Sequence, residues 1–537
     1  MCDFYDVLVV GGGVAGTSAA AEAAHWLRAS RPGARVALLS GGGSVVTVAA
    51  MGTRVTARAV EVGAAQAAIS DWSSASGVEV LPGRAVALHA DDRLLRAANA
   101  ATGAEFTLRY GRLCVATGAR PAAASRAASG HARVFALRDA ASVRRLARAL
   151  QQGARRVLLV GNGGVCMEMA QYLRARGGAV GVREVTWAVR EGAEDGVGGA
   201  FFDRDAAAFM ADLLRAGRAG DGAEAEAKAG DGGSSSSKRR RRVESAPMDG
   251  DNAAVAAVAG EFANAVGPKW TEMLPGGKWA DDGGGTGGGA QSAAADAQPP
   301  RFELSYGAQL VEVVDAPAGC AHAAIARLSD GSEVAVDAVV CGVGVVPATG
   351  WLPASLRRDS NGALLVDDVM RTSAADVYAA GDACCCDEWA RLQDGDDNWF
   401  QWRLWSQALS LGAYCGRVMA SASDELALGF NFELFTHVTE FLGLKVVLLG
   451  RYNGQGLEAE DASDVVTYVR STPGEEFARV LLVRGRMKGA VVIGRQVDIA
   501  ETYENLIADG IDLSQYGPAI MLDETHPDGV DLEDFFD

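Results

Sequence analysis

The chain has 537 residues, enough for about three domains of the usual ~150 residues, and 49% of its residues are hydrophobic, which favours a globular protein. Its formal net charge of −18 argues against a general nucleic-acid-binding surface. Its nine unevenly spaced cysteines do not have the pattern of a secreted disulfide framework.

The N-terminal sequence enters a strand directly, and it has neither a basic n-region nor a cleavage site of a signal peptide. No run of ~18 apolar residues free of glycine and charge occurs, so we expect no membrane span. A reducing setting, cytosolic or nuclear, fits this cysteine usage.

The first element is a βαβ unit. Residues 6–10 (DVLVV) predict a strand, 17–27 a helix and 34–40 (ARVALLS) a second strand. The turn between the first strand and the helix has the spacing Gly11-x-Gly13-x-x-Gly16, which lets a backbone approach a pyrophosphate at a helix N-terminus. The acid that usually binds a ribose after the second strand is replaced by Ser40. A hydroxyl still forms that hydrogen bond, less strongly.

A second unit of this type starts near residue 155, with the turn Gly161-Asn162-Gly163-Gly164. Cys166 stands where the third glycine is expected, and a small thiol is compatible with close helix–strand packing there. The following strand ends at Arg190 without an acid. Arg190 either pairs with the 2′-phosphate of NADP or is a solvated arginine, so the preference between NADH and NADPH stays open.

Strand-like segments ending in Thr117-Gly118 and in GVGVVP (342–347) follow the two units. Between them, residues 216–300 are rich in Gly, Ala, Asp and Ser, a composition that cannot bury enough apolar surface to order itself. An island at 261–274 (EFANAVGPKWTEML) carries aromatic anchors and is expected to dock. Lys238–Arg242 is either a nuclear localisation signal or a solvated charge run.

The segment YAAGDACCCDEW (378–389) places three cysteines directly after Gly381-Asp382. Adjacent cysteines form only strained disulfides, and their side chains diverge, which is poor for metal ligation. Packing is therefore the preferred interpretation, over an oxidation-sensitive thiol or a redox or metal site. Residues 397–416 predict an aromatic-rich helix, either directed at a bound cofactor or packing a domain interface.

From about residue 430 the sequence predicts a compact α+β domain. A hairpin is expected to turn at Gly485-Arg486, a helix follows at 498–510, and an acidic-aromatic tail (GVDLEDFFD) ends the chain. His526 lies in ETHPDG, and the preferred interpretation is a surface residue.

As a set, these motifs resemble the pyridine nucleotide–disulfide oxidoreductases over about residues 5–425. The resemblance implies an α/β fold of two Rossmann-like domains, the first binding FAD and the inserted one NAD(P)H, plus the C-terminal α+β domain. It divides the chain into 1–119 and 346–425 for FAD, 120–345 for NAD(P)H with an insertion at about 216–300, and 426–537.

The resemblance also assigns residues to sites. Asp382 is expected to bind the ribityl chain of FAD, and Glu168 to lie near the nicotinamide as the catalytic residue. No metal ligand is expected. The other cofactor-binding positions are Gly11, Gly13, Gly16, Ser40, Val86, Thr117, Gly118, Gly161, Gly163, Gly164, Arg190, Gly344 and Gly381.

One departure from the family concerns the redox cysteines. Disulfide reductases carry a CxxC or CxxxxC pair, or a single cysteine, soon after the first βαβ unit. Residues 41–70 contain no cysteine, so the sequence predicts a flavoprotein without a dithiol relay.

Six segments carry a closer resemblance, to a branch of the family that lacks the redox-active pair: FFDRDAAAF, NAVGPKWTEML, FELFTHVTEFLGLKVVLLGRYNGQGL, GRMKGAVVIG, ENLIADGIDLSQYG and DLEDFFD. This resemblance implies a nuclear and cytosolic NAD(P)H-dependent flavoprotein of the oxidative-stress response. It also implies association with the catalytic subunit of the tRNA ligase complex, with no direct nucleic-acid contact. The alternatives are a redox-gated binding module and a quinone- or ferredoxin-type reductase.

Overall fold

The computed structural model describes residues 3–193, 196–199, 201–216, 270–277, 298–386, 398–422, 432–457, 460–521, 529–530 and 532. Several predicted features lie outside these residues. They are Lys238–Arg242, His526, residues 261–269 of the predicted island, and most of the low-complexity segment and of the acidic tail.

The first sheet has six strands. Five of them lie within residues 3–115, and the sixth comes from residues 377–379. In spatial order the strands are β1 (Asp3–Val10), β2 (Val36–Ser40), β5 (Glu79–His89), β6 (Leu94–Asn99), β7 (Glu105–Val115) and β19 (Val377–Ala379). β1, β2, β7 and β19 run parallel, and β5 continues this parallel set beside β2. β6 is antiparallel to β5 and β7. The apolar run of β1 is buried because helices cover the sheet.

Two helices cross closely on this sheet, α1 (Val14–Ser30) and α6 (Trp405–Met419). A β-carbon at Gly412 would lie 2.3 Å from Ala15 O, and one at Gly416 would lie 2.4 Å from Ala19 O. Only glycine permits this approach, so the small residues fix the distance between the two helices. The remaining elements of this part of the fold are β3 (Ser44–Arg54), β4 (Val60–Ala68), α2 (Ile69–Ser76), β18 (Leu364–Leu365) and β20 (Cys384–Cys385).

The second sheet is parallel and five-stranded, in the order β12-β11-β10-β16-β9. Its strands are β9 (Val134–Ala136), β10 (Arg156–Val160), β11 (Glu184–Val189), β12 (Arg301–Tyr306) and β16 (Ala338–Cys341). Its helices are α3 (Ala140–Gln151), α4 (Gly164–Arg176) and α5 (Arg204–Ala216). An antiparallel sheet of β13 (Leu310–Asp315), β14 (Ala324–Leu328) and β15 (Glu333–Val336) adjoins it. A short antiparallel pair connects the two folds: β8 (Ala119–Pro121) and β17 (Val345–Pro347).

The third sheet is antiparallel, with α7 (Ile499–Asp509) packed on it. Its spatial order is β21 (Thr436–Phe441), β22 (Leu444–Gly450), β25 (Arg486–Gly494), β24 (Glu476–Val483) and β23 (Val465–Thr472). The hairpin between β24 and β25 turns at Arg484-Gly485, one residue earlier than predicted, and both residues have positive φ, 48° and 76°. Two consecutive positive φ angles suit a tight hairpin turn, in which glycine is favoured.

The domain of the third sheet contacts both of the preceding folds. Toward the first fold, the buried Glu504 carboxylate of α7 accepts hydrogen bonds from the Thr56 hydroxyl and from Arg58 N (3.0 Å), at the tip of the β3–β4 hairpin. Toward the second, the Tyr452 hydroxyl donates to Phe201 O at 2.8 Å. The C-terminal domain therefore contacts each of the other two folds through buried polar groups.

Candidate functional site

The first candidate site lies where three neighbouring parallel strands end. Val10 of β1, Val115 of β7 and Ala379 of β19 pair in register, so the residues after them converge at one edge of the sheet. These residues are the turn at Gly11, Thr117-Gly118 and Gly381-Asp382. Ligands of open α/β sheets bind at this carboxyl edge.

The glycines of the first turn have different roles. A β-carbon at Gly11, where φ is +119°, would lie 2.2 Å from Ala116 O, and one at Gly16 would lie 1.8 Å from Gly11 O. These two positions therefore require glycine for the tight turn. A β-carbon at Gly13, by contrast, would meet no atom within 4 Å. The space in front of the N-terminus of α1 is therefore open for a phosphate group.

Ser40 and Val86 lie on the two adjacent strands. Ser40 ends β2, is 3% exposed and packs against Gly12 of the turn. It therefore lies beside the glycine turn of the candidate site. Val86 is half-buried in β5, four residues beyond Pro82, which pairs with Ser40. The assignment of Val86 to FAD remains a prediction.

Asp382 lies in the 3-10 turn Gly381–Ala383. Burial raises the pKa of its carboxyl group, and the charge of Arg403 lowers it. The Nε atom of Arg403 is buried and has no hydrogen-bond partner among the described residues. A half-buried acid beside a partly unsatisfied arginine, at the edge with the open glycine turn, suits a ligand that carries hydroxyl and phosphate groups, as FAD does.

The segment 398–404 connects the Gly-Asp loop of this site to the second fold. The Gln401 side chain donates to Cys384 O at 3.2 Å and accepts from Cys386 N at 3.0 Å, which holds the Gly-Asp loop. Its neighbour Trp402 contacts Phe201 of the second fold, with ring centroids 5.5 Å apart. The predicted helix at 397–416 is wrong at its start: α6 begins at Trp405, because residues 398–404 use their polar groups for these contacts instead.

The second candidate site repeats this arrangement in the other sheet. Val160 of β10 pairs with Ala188 of β11 and with Cys341 of β16. At Gly161, where φ is +117°, a β-carbon would lie 2.3 Å from Gly342 O. The remaining predicted glycines face space: a β-carbon would meet no atom within 4 Å at Gly164 or Gly344, and only Gly342 O at 3.8 Å from Gly163.

Cys166 packs at this turn as predicted. Its thiol lies 3.3 Å from Val160 O, and a β-carbon at Gly342 would lie 2.8 Å from its sulfur. Burial raises the pKa of Cys166 to about 12, so the thiol is neutral near pH 7. Its role is close helix–strand packing.

Arg190 is exposed, as an arginine that binds a phosphate must be, but it already forms an ion pair. Its Nη2 lies 2.9 Å from Oε1 of Glu191, the next residue. An acid therefore stands one residue beyond the predicted strand end, and it competes with a 2′-phosphate for the guanidinium. A second residue that sequence reasoning missed is Asn162, whose buried amide donates to Gly196 O at 3.1 Å. It anchors the loop after β11 to the glycine turn.

Glu168 projects from the first turns of α4, close to Gly164. Burial raises the pKa of its carboxyl group, and a hydrogen bond from Trp270 lowers it; the Nε1–Oε2 distance is 2.6 Å. Trp270 belongs to the predicted island. Its ring is 5% exposed, and docking is thereby confirmed for the described part of that island.

Cys384, Cys385 and Cys386 are all buried in the first fold. The first two form β20 beside β18, and the Cys384 thiol donates to Gly381 O at 3.2 Å. These contacts agree with the packing interpretation. Within the described residues, no three His, Cys, Asp or Glu side chains group as a metal would require. None of the described helices combines the length and apolarity needed to cross a bilayer.

Comparison with known proteins gives a family. The model of the family described as pyridine nucleotide-disulphide oxidoreductase matches residues 5–217 and 303–412. The Drosophila melanogaster protein named pyridine nucleotide-disulfide oxidoreductase domain-containing protein 1 is 32% identical over 100% of this chain and 99% of its own length. The Homo sapiens protein of that name is 31% identical over 80% of this chain and 79% of its own.

Solved structures support the same fold. An NAD-dependent persulfide reductase from A. fulgidus superposes with a TM-score of 0.63 at 17% identity, covering 97% of this chain and 79% of the reductase. A water-forming NADH oxidase from Lactobacillus brevis gives a TM-score of 0.61 at 14% identity, covering 97% and 94%. At these identities the likeness concerns architecture, and the predicted α/β fold with two Rossmann-like domains is confirmed.

Proposed function

The chain belongs to the pyridine nucleotide-disulphide oxidoreductase family, and from that premise we propose that it oxidises NAD(P)H at FAD without a dithiol relay. Membership makes the chain an NAD(P)H-dependent flavoprotein oxidoreductase. The observation that carries the proposal is the convergence of Gly11, Thr117-Gly118 and Gly381-Asp382 at one sheet edge. The residues at this edge would hold FAD, which would supply the redox centre between NAD(P)H and an electron acceptor.

The residues of the first site hold FAD in this proposal. The open N-terminus of α1 receives the pyrophosphate, the Asp382 carboxylate accepts hydrogen bonds from ribityl hydroxyls, and Ser40 contacts the adenosine ribose. In the second site, the open glycines 163, 164 and 344 surround the NAD(P)H phosphates and ribose. Glu168 lies at the nicotinamide end, where a carboxylate stabilises the positive charge that the ring gains as hydride leaves.

Two observations support the absence of a dithiol relay. Residues 41–70 contain no cysteine, and this part of the chain forms the β3–β4 hairpin and the start of α2. The cysteines around the Gly-Asp loop are buried, and a hydrogen bond to Cys114 together with burial holds the pKa of Cys415 well above its usual value. Thiol–disulfide exchange requires an accessible thiolate, so we expect the reduced flavin to be reoxidised directly, and slowly in air.

The cellular role follows from the resemblance rather than from the site. We propose that the protein acts in the oxidative-stress response of the nucleus and cytoplasm, and protects the catalytic subunit of the tRNA ligase complex from oxidative inactivation. Similarity to the Drosophila relative over the whole chain, including the C-terminal domain, supports one shared role. The alternative to this proposal is a redox-gated binding module with little turnover.

The test is an anaerobic titration of the purified flavoprotein with NADH and NADPH, followed by its reoxidation rate in air and with a quinone or ferredoxin. Bleaching of the flavin by one nucleotide and slow reoxidation, with ligase binding only in the reduced state, are expected. Failure of both nucleotides to reduce the flavin overturns the proposal. Fast steady-state reduction of a quinone or ferredoxin, without ligase binding in any redox state, replaces it with a reductase.

A further inference from the structure

Residues 270–277 lie along one stripe of α4. Trp270 and Leu274 are 5% and 0% exposed, so the segment is anchored by apolar burial. Three side chains of α4 make hydrogen bonds with it: Glu168 accepts from Trp270 Nε1, Tyr172 donates to Pro275 O at 2.9 Å, and Arg176 donates to Gly276 O. Residues spaced by four occupy one face of a helix, so the contacts form a continuous row.

This row begins at the nucleotide end of α4 and leads away from it. Glu168 is four residues after Gly164, where the helix starts, whereas Tyr172 and Arg176 lie one and two turns further along. Trp270 therefore makes the contact beside the glycine turn, and the other two bonds hold the segment down at a distance from it. The docked segment thus makes one hydrogen bond with the candidate catalytic carboxylate of Glu168, and others, such as that from Tyr172, at a distance from it.

We propose that Trp270 is a positioning residue, whose indole N–H fixes the Glu168 carboxylate toward the nicotinamide of NAD(P)H. This inference rests on the proposed function, because it assigns the nicotinamide to this end of α4. Dihydronicotinamide is neutral and the oxidised ring is cationic, so an ionised carboxylate at a fixed position favours departure of the hydride and binds NAD(P)⁺ in preference to NAD(P)H.

The contact also acts on the charge of Glu168. The pKa of Glu168 has two causes of change: burial raises it, and the hydrogen bond from Trp270 lowers it. No charged side chain of the described residues contributes to the shift. His437 of β21, the strand that packs on α4, is neutral above pH 5 because burial lowers its pKa to about 4. Removal of the indole N–H therefore extends protonation of Glu168 to higher pH.

The chain offers a matched pair of substitutions. Trp270→Phe keeps an aromatic ring in the buried site and removes the N–H. Tyr172→Phe removes a hydrogen bond of the same segment one turn further from the nucleotide. Both variants loosen the docked segment by one bond, and only the first changes Glu168.

The experiment measures two quantities from pH 5 to pH 9 on the FAD-loaded full chain: the anaerobic rate of flavin reduction by saturating NAD(P)H, and the calorimetric dissociation constant of NAD(P)⁺. In Trp270→Phe we expect reduction to slow about tenfold near neutral pH, as loss of one hydrogen bond to a charged group predicts. The acid limb of both profiles should move up by roughly one pH unit. Tyr172→Phe should lower the melting temperature and leave both profiles in place.

Two results overturn the inference. One is a Trp270→Phe profile that superposes on the wild type, and the other is an equal loss in both variants without a pH shift, which indicates support of the fold alone. Glu168→Gln provides a further control, because adding Trp270→Phe to it should cause no additional loss of rate. If the wild-type flavin is reduced by neither nucleotide, the proposed function fails; the pH dependence of NAD(P)⁺ binding still tests the Trp270–Glu168 contact.

Discussion

The Nη1 atom of Arg479 lies 3.2 Å from Oδ2 of Asp203, and this ion pair joins the C-terminal sheet to the second nucleotide-binding fold. The Asp203 side chain is 3% exposed and that of Arg479 13%, so water screens the pair poorly. Burial raises the pKa of Asp203, and the charge of Arg479 lowers it. Asp203 also accepts from Asp205 N and Ala206 N at the start of α5.

Replacing Arg479 with Met should destabilise the protein by about 3 kcal/mol, because the Asp203 charge loses its partner in a buried site. Arg484→Met is the matched control: its side chain is 64% exposed beside Asp464, so water screens the pair and its loss should cost much less than the loss of Arg479. Chemical denaturation of both variants measures the difference. Equal costs would show that the Arg479–Asp203 pair contributes no more than a surface pair.

Gly13 and Gly16 should respond differently to alanine. Gly13→Ala places a methyl group in open space at the N-terminus of α1, with φ at −79°, so the fold should persist. We expect its FAD affinity to fall at least about tenfold, since the methyl occupies the phosphate position. Gly16→Ala forces a clash with Gly11 O and should impair folding itself. Flavin content and melting temperature separate the two effects; normal FAD retention by Gly13→Ala would contradict the assignment.

Asp382→Asn should weaken FAD binding and stabilise the flavin-free chain. Burial holds the Asp382 pKa above its ordinary value, so the flavin-free fold is most stable with the group protonated and loses stability as pH rises through that raised pKa. Asparagine resembles the protonated acid and lacks this loss. Melting temperatures of the two flavin-free proteins should therefore converge at low pH and separate toward pH 8, with the variant higher. A lower melting temperature for the variant at pH 8 would refute this account.

The buried cysteines should resist alkylation in the native protein. Cys320 is exposed, whereas Cys114, Cys415 and the three consecutive cysteines are buried. With iodoacetamide at pH 8, mass spectrometry should find Cys320 modified before the other cysteines that the structure describes, and the buried thiols only after unfolding. Rapid labelling of Cys384, faster still after flavin reduction, would favour a redox-sensitive thiol over packing.

The sequence predicts the glycine turns after β1 and β10 well because their backbone geometry is local. The turns at Gly11 and Gly161 require glycine for contacts with backbone atoms at neighbouring strand ends, and such spacing is visible in a single sequence. Gly381-Asp382 is equally local. The parallel register of the strands then brings these separate motifs together.

Other contacts depend on residues far apart in the chain. Trp270 and Glu168 are 102 positions apart, and the intervening sequence is mostly low-complexity, so no periodicity connects them. The start of α6 was missed because Gln401 bonds to the Gly-Asp loop, a tertiary contact that overrides helical pattern. Arg403 could have been suspected, as a charged residue within an aromatic run, but only burial distinguishes it from the other arginines.

The C-terminal domain touches the β3–β4 hairpin through Glu504 and the loop before α5 through Tyr452 and Arg479. The short β8–β17 pair connects the first two folds, and a third body attached to both restricts their rotation relative to each other. The relative placement of the two candidate sites therefore depends on residues that lie in neither site. Substitutions in the C-terminal core should accordingly cause the same loss of activity in genetic screens as mutations at a cofactor site. Unlike those mutations, they should leave the binding of each nucleotide normal and impair only the electron transfer between them.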